Sequence, residues 1–230
     1  MRAPAKLTLS LRVTGVRADG FHELDAEMVT IDLADELEFA GGDGLTIVGG
    51  AGLPVTDGDD NLVHRALRAV GRTAHVTLTK RIPAGGGLGG GSADAAAVLR
   101  WAGCDDLAIA ASLGADVPFC VAGGRARVTG IGDVLEPLPR VDRTFTLLTP
   151  PFGVPTPAVY RAWDELGGPA ADGPNDLEPA ALDVEPRLGE WRDRLAKATG
   201  AEPVLAGSGS TWFVEGAFPG EDRVVVRTLP

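Results

Sequence analysis

The sequence predicts an α+β fold, and three observations carry that prediction. Apolar residues alternate strictly with polar ones at 6–13 and again at 75–80, the period-two pattern of half-buried strands. Helix-forming runs lie between and after these segments without a regular strand–helix alternation, which favours α+β over a doubly wound sheet. Finally, Pro83-Ala84-Gly85-Gly86-Gly87-Leu88-Gly89-Gly90-Gly91-Ser92-Ala93 puts six glycines in seven positions just before a helical run. Such a loop buries almost nothing and is costly to order. What it offers is bare backbone N–H groups at a helix start, which with the helix dipole make a phosphate cradle.

Taken in order, the strand at 6–13 is followed by a turn at Ala18-Asp19-Gly20 and by two further strands, 27–33 and 36–39. A turn at 41–44 precedes a short strand at 45–48. A helix is predicted over 61–71, with Asp59 or Asp60 as N-cap and Gly71 as its stop. After the strand at 75–80 and the glycine loop, Ser92 is the expected N-cap of a helix over 93–102, with Gly103 past its end. Another helix covers 105–113 and stops at Gly114. Strand character returns at 125–138. Pro137 and Pro139 mark a boundary between an N-terminal domain, 1–140, and a C-terminal domain, 141–230. The second part reads as a strand at 144–149, a proline-rich loop at 150–157 and a helix holding Tyr160 and Trp163. A flexible connector at 167–174, a helix at 187–199 and strands at 204–206, 211–214 and 224–229 complete it.

The 230 residues are 44% hydrophobic and 23% charged, ordinary for a soluble protein, and the net charge is −11. That balance argues against a general nucleic-acid surface and against an anionic membrane surface. It does not exclude a small anionic ligand held by N–H dipoles and one or two lysines. Lys6, Lys80 and Lys197 are the only lysines. Cys104 and Cys120 lie in apolar contexts, as reduced thiols of a cytoplasmic protein would. No signal segment is read, and the apolar stretch 107–123 is interrupted by Ser112, Asp116 and Pro118, so no membrane helix is expected.

The loop is not a Walker A sequence, because no Lys-Ser or Lys-Thr follows its last glycine. Gly85, Gly87 and Gly90 fit a dinucleotide spacing, with Asp105 and Asp106 downstream, but so many glycines make that match nearly automatic. The loop is more similar to the Pro-x-x-x-Gly-Leu-Gly-x-x-Ser-Ala segment of the GHMP kinase superfamily. Ala3-Pro4-Ala5-Lys6-Leu7-Thr8-Leu9 resembles the first motif of that superfamily, and Leu205-Ala206-Gly207-Ser208-Gly209-Ser210 resembles its third. Three motifs in order span nearly the whole chain. Arg17-Ala18-Asp19-Gly20-Phe21-His22-Glu23-Leu24, Asp60-Asn61-Leu62, Gly114-Ala115-Asp116-Val117-Pro118-Phe119, Pro155-Thr156-Pro157-Ala158-Val159-Tyr160 and the pair Asn175-Asp176 narrow the resemblance. They are similar to the branch that phosphorylates an alcohol on a cytidine-diphosphate-linked methylerythritol.

The resemblance implies a two-domain fold, the first resembling ribosomal protein S5 domain 2 and the second ferredoxin-like. It implies ATP and Mg²⁺ as cofactors and a small-molecule substrate, with the Mg²⁺ ligands and the oligomeric state left open. It makes Asp116 the general base and Lys6 its charge partner. Residues 83–93, with Asn61 and Lys80, are expected to hold the nucleotide; Asp94 is either a partner of the ion's ligands or a helix-dipole residue. Thr8, Gly207, Ser208 and Gly209 are expected to contact the substrate. Phe21 and Tyr160 are expected to sandwich a cytosine ring whose edge His22 reads, while His64 and His75 are structural. Two departures stand out: the family usually has Asn at the place of Thr8 and often Tyr at that of Phe21. The second domain is also shorter than is usual. The alternatives are a homoserine- or mevalonate-type kinase and a non-catalytic nucleotide-binding protein.

Overall fold

The computed structural model describes residues 1–50 and 53–230. Strand β1 (Arg2–Val16) and strand β2 (His22–Ala40) form a long antiparallel hairpin around the turn at Ala18-Asp19-Gly20. The β1 register slips between Pro4 and Lys6 and again between Thr8 and Ser10. Such bulges re-aim side chains, and residues 5–8 are all buried between them. β3 (Gly44–Gly49) and β4 (His75–Lys80) pair in parallel, and β4 joins the C-terminal half of β2. α1 (Leu62–Ala69) lies between them in sequence. The glycine loop then leads into α2 (Gly90–Trp101), followed by α3 (Leu107–Leu113), α4 (Val117–Ala122), β5 (Arg125–Gly130) and β6 (Val134–Pro137). The first sheet runs β3-β4-β2-β5-β6, with β1 also on β2.

The chain changes sheet after β6. β7 (Thr144–Leu148) is followed by α5 (Thr156–Glu165), α6 (Glu178–Val184), α7 (Leu188–Thr199), β8 (Val204–Leu205), β9 (Trp212–Glu215) and β10 (Val224–Arg227). This sheet is antiparallel throughout, in the order β10-β7-β9-β8. Numbered from its own first strand, that is 4-1-3-2, the ferredoxin-like order. Three helices fill the first crossover, whereas residues 216–223 return to the sheet without one.

Among the described residues, each of the two buried apolar clusters draws on both halves. Phe145, Leu147, Phe213 and Val226 join the core under α2, which contains Leu7, Ile31, Leu78 and Leu99. Leu148, Leu205, Trp212 and Val214 pack with α5–α7, together with Leu11, Met28 and Val128. Alternation along β7 and β9 therefore sends one sheet face to each cluster.

Several elements differ from the sequence expectation. The strands expected at 27–33 and 36–39 are one continuous β2, because Asp35 points to a charged partner instead of breaking the strand. Asn61, and neither Asp59 nor Asp60, caps α1: its Oδ1 accepts from Val63 N at 2.9 Å. Ser92 is not the cap of α2. The helix begins three residues earlier than expected, behind Gly89 at φ +69°, and has no side-chain cap. α4 and α6 occupy stretches where no helix was expected.

Candidate active site

The glycine loop is held by its backbone. Asp35 Oδ1 accepts from Arg81 N at 2.5 Å and from Ile82 N at 2.8 Å as the chain leaves β4. Thr211 N donates to Gly86 O at 3.1 Å and Lys6 N to Leu88 O at 3.1 Å. The loop thus lies between β1 and the turn at 206–210. Gly87, at φ +75°, is obligatory: a Cβ there would sit 2.1 Å from Ala206 O. With no side-chain cap at Gly89, the first N–H groups of α2 are left without an intrahelical acceptor, as anion binding requires.

Lys6 and Asp116 meet beside this loop, Nζ to Oδ2, at 3.4 Å. Lys6 is buried and also donates to Thr8 Oγ1 at 3.0 Å; Asp116 keeps 32% of its side chain exposed. Asp116 occupies the N-cap position of α4 but makes no capping bond, so its carboxylate faces the lysine instead.

In the same cleft, Tyr160 on α5 lies against His22 with the rings tilted by 32° and their centroids 4.6 Å apart, and Trp163 meets the same imidazole edge-on at 5.6 Å. His22 Nε2 is 2.9 Å from Asp164 Oδ1. Burial, helped by the negative charge of Asp116, pushes the Tyr160 phenol upward from its ordinary value. Phe21 stands on the rim, 57% exposed. Ser208 Oγ bonds Thr156 Oγ1 at 2.7 Å, and Asn175 Nδ2 donates to Leu205 O and Gly207 O at 2.8 and 2.7 Å. One cleft of about 920 Å³ is lined by Lys6, Asp116, residues 83–92, Phe21, His22, Tyr160, Gly207 and Ser208.

Three of the expected residues also bond within the protein, and two of them, Asn61 and Lys80, line the cleft. The Asn61 amide caps α1 and donates to Thr56 O at 2.8 Å. The Lys80 ammonium, 5% exposed, is bonded to Asp35 and to Asp94 Oδ2. Thr8 is buried and its hydroxyl oxygen accepts from Lys6. Thr8, Ala93 and Gly209 do not line the cleft; Ala93 is in the core and Gly209 offers its carbonyl where Gly87 packs. Tyr160 faces His22, so a ring between Phe21 and Tyr160 would have to enter from the rim. Asp35, Thr156 and Asp164 were not foreseen. Asp164 was readable, since four residues on from Tyr160 is the same helix face; Asp35 had only its polarity within an apolar strand to mark it.

These features define the class of the protein. Residues 61–124 match the family of GHMP kinases N terminal domains. A 4-diphosphocytidyl-2-C-methyl-D-erythritol kinase of Paracoccus denitrificans is 39% identical over 231 residues, covering 92% of this chain and 84% of that protein. One from Rhodopseudomonas palustris is 38% identical, covering 99% and 91%. A crystal structure of 4-(cytidine 5'-diphospho)-2C-methyl-D-erythritol kinase superposes with a TM-score of 0.78 at 34% identity, covering 99% of both chains. The mevalonate kinase of L. major, in complex with R-mevalonate, shares the fold at a TM-score of 0.63 and 12% identity, covering 99% and 94%. The chain belongs to the 4-diphosphocytidyl-2-C-methyl-D-erythritol kinase family, a family of phosphotransferases.

Proposed function

We propose that this enzyme transfers the γ-phosphoryl group of ATP to the 2-hydroxyl of 4-diphosphocytidyl-2-C-methyl-D-erythritol, a step of isoprenoid precursor synthesis by the non-mevalonate route. The observation that carries the reading is the Lys6–Asp116 pair, set in one cleft between a phosphate loop and an aromatic pocket. Asp116 accepts the hydroxyl proton as the substrate oxygen bonds to the γ-phosphorus. The bond from that phosphorus to the bridging oxygen breaks, and ADP leaves. Lys6 sets positive charge beside the reacting oxygens. Phosphoryl transfer needs mainly such positioning and charge neutralisation. The N–H groups of 85–92 cradle the phosphates, and Phe21, His22 and Tyr160 receive the cytosine.

Among the described residues no three His, Cys, Asp or Glu side chains form a metal cluster. The residues present nevertheless suit a nucleotide-borne Mg²⁺, an ion that keeps waters and phosphate oxygens and needs few protein ligands. Asp94 Oδ1 is buried without a partner, and Ser92, two residues earlier, lines the same cleft. These two would hold the ion, which supplies neutralisation of phosphate charge. With a net charge of −11, and no described helix long and apolar enough to cross a membrane, we assign it to the cytoplasm, with no nucleic-acid or membrane partner.

ADP release from Mg-ATP, measured with the cytidyl substrate, homoserine and mevalonate, tests the reading. Turnover with the cytidyl substrate alone is expected. Turnover only with another alcohol would discard the cytosine pocket, and ATP binding without any turnover would discard catalysis.

A further inference from the structure

We infer that Lys80, with Asp35 and Asp94, is a positioning clamp that fixes both ends of the phosphate loop. This deepens the reading of that loop as the ATP cradle and rests on it. Lys80 closes β4 and α2 begins at Gly90, so the intervening segment consists of Arg81, Ile82, Pro83 and the glycine run. Glycines leave such a segment many conformations, and fixing its ends removes much of that freedom. Asp35, on β2, grips the entry by accepting from Arg81 N and Ile82 N with one oxygen and from Lys80 with the other. Asp94, on the second turn of α2, holds the exit through its 2.8 Å bond from Lys80 Nζ. A Cβ on Gly90 would lie 3.2 Å from that ammonium, so the lysine reaches the start of the helix itself.

The burial argues for geometry over stability. Lys80 and its two carboxylates are each 5% exposed or less. An ion network taken out of water contributes little net stability, and apolar residues of similar volume often serve as well. What it does supply is a fixed set of directions joining β2, β4 and α2. One ammonium faces two carboxylates, and Asp94 Oδ1 has no partner of its own. Burial pushes the Asp94 carboxyl up, to about 7, against the pull of Lys80. Burial also acts to lower Lys80, but the two carboxylates outweigh it and the net direction is upward.

The test compares the full-length protein with Lys80→Met and Asp94→Asn. Dissociation constants for ATP and for the cytidyl substrate are measured by calorimetry, the former with Mg²⁺ and with EDTA, alongside kcat and KM. The clamp predicts ATP binding weakened about tenfold or more in both media, with cytidyl binding within about threefold. Asp94→Asn keeps the side-chain shape and decides the matter if Lys80→Met does not fold. ATP affinity unchanged in a folded variant overturns the clamp. So does equal weakening of both ligands, which a general loss of structure would give, or a loss seen only with Mg²⁺. Failure of the unaltered protein to bind ATP overturns the reading of the loop and the clamp with it.

Discussion

Asp116 holds the N-cap position of α4 without capping it, and that unused capacity is what leaves its carboxylate for Lys6 at 3.4 Å. Asp116→Asn keeps the shape and removes the proposed proton acceptor, so kcat should fall by about 10²-fold or more while the ATP dissociation constant holds; steady-state kinetics with calorimetry checks this. Phe21 is exposed on the rim, where the proposed reading has it receive a flat base. Base–aromatic stacking contributes about 1–3 kcal/mol, so Phe21→Ala should raise KM for the cytidyl substrate by roughly 5- to 150-fold and leave KM for ATP unmoved. Cys120 lies one turn beyond Asp116. Burial first, then the Asp116 charge, pushes its thiol up to about 12, so it stays protonated and unreactive at neutral pH. Alkylation of the native protein near pH 8 followed by peptide mass analysis should mark Cys104, which is partly exposed, and reach Cys120 only after unfolding.

The connector before α6 is fastened by two adjacent side chains. Asn175 ties the turn at 205–207 through two donated bonds and takes Leu177 N on its oxygen. Asp176 accepts from Val13 N, Ala171 N and the Arg12 guanidinium. Asn175→Ala would strand two buried carbonyls, a loss of about 1–3 kcal/mol, so a fall of roughly 2–10 °C in Tm is expected by calorimetry. The strands at 75–80 and 144–148 were legible because their apolar residues are patterned by burial alone. α4 and α6, six and seven residues long, were not, being too short for a helical period to emerge. β2 was read as two strands because Asp35 looks like a break until Lys80 is placed beside it, and nothing local records a partner 45 residues away. The same holds within the site. Lys6, Asp116 and the glycine loop were visible as motifs, whereas the engagement of Thr8, Asn61 and Lys80 inside the protein depends on neighbours brought together by folding.

Because both apolar clusters recruit residues from either side of the change of sheet, neither half holds a complete core of its own. Backbone bridges from Leu11 to Asn175 and from Ile31 to Thr228 bind the halves further. Thermal unfolding should therefore show one transition, with near- and far-ultraviolet circular dichroism coincident; two separated transitions would show the halves to be independent. The second sheet is covered by α5–α7 on one face and by the first half on the other, and it manages with a bare loop as its return crossover. This sandwiching has a mechanical consequence. A hinge that opened the cleft would have to peel Phe145, Leu147 and Phe213 from their core, so the two walls cannot swing apart like jaws. The expected outcome is a mouth of constant span, so the scattering radius of the particle should be the same empty, with nucleotide, and with both ligands bound.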